Sequence, residues 1–142
     1  MNRRMLFGPD RSGTAAGDLG LLLFRVFLGL ALAFGHGLNK LPPSERFIGG
    51  VIEMGFPAPA FFAWASAVAE LGGGLLLALG LMTRPAALLV TINMTVAAFI
   101  RQAGDPFGER ELALLYLAGV AMLLLAGAGR YSLDALIRRR NA

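Results

Sequence analysis

Residues 18–38 read DLGLLLFRVFLGLALAFGHGL. Twenty-one residues of α-helix rise about 30 Å, the thickness of a bilayer's hydrocarbon core. Past Asp18, one charge, Arg25, interrupts this run. A soluble amphipathic helix would carry a polar stripe along one side. This one carries Arg25 and, near its far end, His36. The same pattern recurs along the chain. Met54 to Ala69, Leu71 to Thr83, Pro85 to Ile100 and Leu112 to Gly129 are free of charge, and Glu70 stands alone between two of these runs. The spacing predicts four hydrophobic helices, at about Asp18 to Leu38, Pro59 to Met82, Arg84 to Gln102 and Glu111 to Ala128. The expected fold is all-α, a polytopic membrane four-helix bundle. Its parts are a polar basic segment at 1–17, a transmembrane domain at 18–137 and a basic tail at 138–142.

Composition agrees. Of 142 residues, 56% are apolar and 15% charged, where soluble domains carry about 25% charged residues. Mean hydropathy is +0.65. Four spans need about 80 apolar positions, close to what 56% of the chain supplies. The chain has no cysteine, which excludes a disulfide framework, a Cys-ligated metal and thiol–disulfide chemistry by this chain alone. There is no dinucleotide fingerprint, P-loop, zinc-protease helix or nucleophile elbow. Gly72-Gly73-Gly74 lies inside a hydrophobic helix and reads as close helix packing.

Turn residues separate the spans: Pro42-Pro43, Gly55 to Pro59, and Gly104-Asp105-Pro106-Phe107-Gly108. Thr83 is a candidate N-cap for the third helix, with Pro85 in its first turn. Between the first two spans, Ser44 opens a stretch with apolar Phe47, Ile48, Val51, Ile52 and Met54. A short helix lying in the membrane interface fits it, with a re-entrant turn as the alternative. A signal peptide cleaved after Ala31-Leu32-Ala33 is a rival for the first span. The polar region ahead of it is long for a signal, and the segment is expected to be retained.

The basic isoelectric point, about 10.7, follows from topology. Arg3, Arg4, Arg11, Arg84, Arg130, Arg138, Arg139 and Arg140 fall on one side, against Lys40, Arg46, Arg101 and Arg110 on the other. The positive-inside rule then puts both termini in the cytoplasm, in a bacterial inner membrane, with Phe61, Phe62 and Trp64 at the outer interface. The Arg138–Arg140 cluster suits anionic lipid. Nucleic acid is not an expected partner; the lipid bilayer is, and close packing on small residues also allows a homo-oligomer.

The candidate site is the polar material inside the spans: Arg25, His36, Lys40, Glu70 and Asn93. Arg25, Gly29, Ala33 and Gly37 step by four along one helix face, flanked by His36 and Lys40. Ser66, Glu70, Gly73 and Gly74 form a comparable face on the second helix, and Tyr116 and Gly119 share one on the fourth. A charge at the bilayer centre costs about 3 kcal/mol on insertion scales. Arg25 and Glu70 are therefore expected to pair, with Asn93 as a third member. Such a pair either fixes helix register or binds a polar head group and relays protons. His36, Lys40, Arg46 and Glu53 could hold an anionic or quinone-like head group at the outer mouth. One histidine cannot build a multi-histidine metal or haem site, and no metal is expected.

The order of motifs resembles the DoxX family of small four-helix membrane proteins. The segments are Arg25-Val26-Phe27-Leu28-Gly29, His36-Gly37-Leu38-Asn39-Lys40-Leu41, Gly55-Phe56-Pro57, Ala69-Glu70-Leu71-Gly72-Gly73, Gly80-Leu81-Met82-Thr83-Arg84, residues 111–116 and Gly127 to Asp134. The resemblance implies a redox-associated membrane subunit with no intrinsic cofactor, linked to quinone and a redox partner protein. It implies at most a membrane subunit of an oxidoreductase complex; the alternative is a non-catalytic carrier or assembly factor. Arg25, His36, Lys40, Glu70, Arg84, Arg130 and Asp134 match the family's polar positions. Many members carry a second histidine at the end of the third helix, where this chain has Arg101-Gln102.

Overall fold

Helices account for all the regular structure in the computed structural model, which describes residues 14–141. The arginines at 3, 4 and 11, counted above for topology, and Ala142 of the basic tail lie outside the described residues. There are six α-helices and no strand among the described residues. They are α1 (Ala15–Leu32), α2 (Glu45–Glu53), α3 (Pro59–Leu79), α4 (Thr83–Val96), α5 (Phe107–Ala126) and α6 (Leu133–Arg140). Two helices continue past their α-helical part. A π-helical turn at Ala33–Gly37 and a 3-10 turn at Leu38–Lys40 extend α1. A second π turn, Ala97–Arg101, extends α4.

Among the described residues, three helices are long and apolar enough to cross a membrane: Ala15–Lys40, Pro59–Leu79 and Thr83–Arg101. The fourth expected span differs. α5 has 20 residues, but Glu109, Arg110 and Glu111 fall in its first two turns. Its uninterrupted apolar run, 112–126, rises only about 22 Å.

Close approach of backbones sets the α1–α3 crossing. A Cβ on Gly74 would stand 2.7 Å from the Gly29 carbonyl oxygen, and one on Gly37 would stand 2.7 Å from Leu71 Cα. In lipid there is little hydrophobic gain from joining two helices, so dispersion contacts through small residues carry the association. Gly73 likewise admits Val90 of α4, and Gly119 of α5 receives Leu28 and Phe24. Leu28, Leu32, Leu77, Ala86, Ala87, Val90, Met94, Val120 and Leu123 fill the space between α1, α3, α4 and α5. The outward faces are apolar as well, with Phe27 and Leu125 more than three-quarters exposed. A surface of that kind suits hydrocarbon better than water.

The helix starts show which caps the sequence discloses. Ser44 caps α2 as expected, its Oγ accepting from the Phe47 amide at 3.2 Å. Thr83 does not cap α4. It is the first helical residue, preceded by Met82 at φ 48°. The cap comes from far along the chain: Asp134 accepts from the Met82 amide at 2.8 Å and the Thr83 amide at 3.0 Å. A buried carboxylate at a helix N-terminus meets both the free amides and the positive end of the helix dipole, which a threonine hydroxyl cannot match.

Candidate functional site

Apart from Asp18 in the first turn of α1, the buried charged side chains among the described residues gather at two separate places along α3. The first is its C-terminal end. Arg25 is buried there, and its guanidinium donates to the carbonyls of Leu77 (2.8 Å), Ala78 (2.7 Å) and Tyr131 (2.8 Å). The last carbonyls of a helix have no intrahelical partner; Arg25 supplies the donor for Ala78 and a second donor for Leu77, whose carbonyl also accepts from the Gly80 amide at 3.1 Å. The chain then turns through Gly80 at φ 66°, where a Cβ would come within 2.6 Å of Ser132. The Asp134 amide donates to the Gly80 carbonyl at 2.9 Å. Arg25 and Asp134 thus tie the α3–α4 turn to the segment after α5.

The expected Arg25–Glu70 pair does not form. Arg25 lies level with Leu77 and Ala78, seven residues from Glu70 and so about 10 Å further along α3. The cost of an unpaired charge in the bilayer favours any buried acceptor, and the carbonyls at the end of α3 compete with a carboxylate for a guanidinium within reach. Asp134→Ala is expected to cost about 2 kcal/mol through loss of the α4 cap, visible as a lower melting temperature in detergent.

The second place is the other half of α3. Glu70 is 1% exposed. Its Oε1 lies 2.5 Å from Lys40 Nζ and accepts from Asn93 Nδ2 at 2.8 Å. Its Oε2 is buried and has no hydrogen-bond partner. Lys40 arrives through the π and 3-10 turns that end the first span. π turns of this type recur at functional sites. The Gly37 contact with α3 fixes the approach. Lys40 Nζ also stands 5.2 Å from the centroid of the Phe47 ring on α2, a cation–π contact. Asn39 Nδ2 donates to the Gly35 carbonyl inside the first π turn, and Arg110 Nε to the Ala98 carbonyl inside the second.

The two π turns flank a cavity of about 350 Å³. Leu32, Met94, Ala97, Leu112 and Ala113 give it apolar walls, and His36, Lys40, Glu70 and Tyr116 line it as well. Arg101, Gln102, Asp105 and Glu109 complete the lining. His36 meets Tyr116 edge-to-face, with ring centroids 5.3 Å apart and planes at 81°. Of the five candidate residues, His36, Lys40, Glu70 and Asn93 come together at this end, and Arg25 does not. Arg101, Gln102 and Glu109 were not singled out as site residues; they sit on loop-side turns where charges are ordinary. Arg101, exposed at the end of the π turn that closes the third span, borders the cavity, and no sequence pattern announces it. Apolar walls with a few convergent polar groups form the usual setting for a small-molecule site. Among the described residues no group of three or more Asp, Glu or His is placed to hold a metal ion.

Comparison with known proteins adds the lineage. A Bacillus subtilis protein named "Putative oxidoreductase CatD" is 33% identical over 121 residues, covering 84% of this chain and 88% of the relative. An uncharacterized membrane protein of Mycobacterium tuberculosis, Rv3486, is 31% identical over 141 residues, covering 89% and 86%. An uncharacterized protein of Haemophilus influenzae is 33% identical over 127 residues, covering 84% and 83%. No solved structure matches significantly. The DoxX family model matches residues 20–103, more than half of the chain and both ends of the Lys40–Glu70–Asn93 cluster. This is a membrane protein of the DoxX family.

Proposed function

We propose that this protein is a four-span protein of the bacterial inner membrane that binds a lipophilic molecule with a quinone-like head in the Lys40–Glu70–Asn93 cavity, as a membrane subunit of a redox system. The observation that carries the reading is Glu70, a carboxylate sealed inside an apolar helix bundle with one oxygen held by Lys40 and Asn93 and the other unpartnered. A buried oxygen left unpaired costs about 1–3 kcal/mol, more when charged, and a ligand that reaches it recovers that cost. The Bacillus relative carries the name "Putative oxidoreductase CatD", which suits a place in a redox system.

The fourth span is α5, with Glu109, Arg110 and Glu111 at the membrane surface and 112–126 in hydrocarbon. Local thinning and tilt accommodate a short span at modest cost. Both termini face the cytoplasm by the arginine distribution, which puts the cavity in the outer half of the bilayer. The chain carries no thiol, so electrons pass through a cofactor on a partner protein, and this subunit's part is to bind and orient the head group.

The test is photolabelling of the full chain in nanodiscs with an azido-quinone. Adducts on Met94, Leu112 or Tyr116, competed away by unlabelled quinone, are the expected outcome. Labelling confined to outward residues such as Phe27 and Leu125 would overturn the assignment. Specific binding with no electron transfer to any membrane fraction would replace the redox role with that of a carrier.

A further inference from the structure

We infer that the cavity selects the hydroxyl-bearing, reduced form of its ring ligand over the carbonyl-bearing, oxidised form. The inference rests on the quinone-like reading above and assigns the form that is held. Glu70 supplies the argument. Its Oε1 accepts from both Lys40 and Asn93. Its Oε2 is buried without a partner, and Glu70 lines the cavity. A carboxylate oxygen only accepts, so a ligand that meets Oε2 must bring a donor. A quinone head has carbonyl oxygens and no donor; set against Oε2 it would bring two acceptors together. A quinol or other phenol supplies an O–H.

Charge narrows the donor further. Lys40 already balances the Glu70 carboxylate, so a second cation on the ligand gains little and meets Lys40's own charge. A neutral hydroxyl completes the set. The rings of His36 and Tyr116, edge-to-face on the cavity wall, offer a flat aromatic head a surface to pack on. A hydrogen bond to a charged acceptor in such a site is worth about ten- to hundredfold in affinity.

The experiment compares three molecules built on one ring, under anaerobic conditions with the full chain in nanodiscs: duroquinol, duroquinone and the dimethyl ether of duroquinol. The expected result is that duroquinol binds at least about tenfold more tightly than either of the others. In Glu70→Gln that ratio is expected to fall towards one, and in Glu111→Gln, at an exposed carboxylate outside the cavity lining, to persist. Equal binding of quinol and quinone, or a preference for quinone, would overturn the inference and leave the ligand site standing. A quinol preference that persists in Glu70→Gln would overturn it too, because another acceptor would then be responsible. Saturable binding of none of the three would sink the ligand site itself along with the inference.

Discussion

Replacing Arg25 with methionine is expected to destabilise the protein by about 3–5 kcal/mol. The Ala78 and Tyr131 carbonyls lose their donor at once, and the Leu77 carbonyl keeps only the Gly80 amide at 3.1 Å. Each buried group left unsatisfied costs about 1–3 kcal/mol, and inside a membrane protein little water is present to substitute. Asp134 keeps its two bonds to the Met82 and Thr83 amides but loses the neighbouring cation. Methionine retains much of the length and no donor. Arg25→Lys should fall between, since an ammonium carries its three donors on one nitrogen and does not reproduce the planar fork that reaches Leu77 and Ala78 from one nitrogen and Tyr131 from the other. Thermal melting in a mild detergent checks the order: wild type, then Lys, then Met. A methionine variant that melts like wild type would show that Arg25 does not close the end of α3. A well-folded Arg25→Met protein that no longer binds ligand would return Arg25 to the ligand site.

The second large effect is expected at Gly37. A Cβ there would stand 2.7 Å from Leu71 Cα and 2.8 Å from the Glu70 carbonyl carbon. Both are backbone atoms, so no side chain can swing aside. Gly37→Val must drive the end of the first span off α3. Overpacking costs about 1–3 kcal/mol where neighbours can shift, and more where they cannot; about 3 kcal/mol or greater is expected. The displacement also carries Lys40 away from Glu70, so ligand affinity should fall along with the melting temperature. Gly35→Ala is the control. It lies in the same π turn and would meet nothing within 4 Å, and a change within about 0.5 kcal/mol is expected. If Gly35→Ala were as damaging as Gly37→Val, the cause would be the π turn's backbone and not the α3 crossing.

The helices and their apolar character were legible because the charges are so few and so placed. Stretches such as 18–38 need no tertiary information to be read as spans. The small-residue face of Gly29, Ala33 and Gly37 was legible too, and it is where α1 meets α3. The partners of the buried charges were not. Glu70 does pair with a cation, but with Lys40, because π and 3-10 turns carry that end of the first span down to it. Helical spacing of 3.6 residues cannot anticipate a π turn. Arg25 found carbonyls instead of a carboxylate, and those acceptors exist in every helix end without any sequence signature. Asp134 shows the same limit, since its partners lie about 50 residues earlier in the chain.

The central claim is that the cavity beside Glu70 holds the ligand while the Arg25–Asp134 end holds the fold. An experimental density map of the protein in nanodiscs with duroquinol added tests it most directly. The account predicts ring density between Tyr116 and Glu70, with an oxygen within about 3 Å of Glu70 Oε2. A cavity closed by protein side chains, with Oε2 bonded to one of them and the ligand elsewhere, would contradict it.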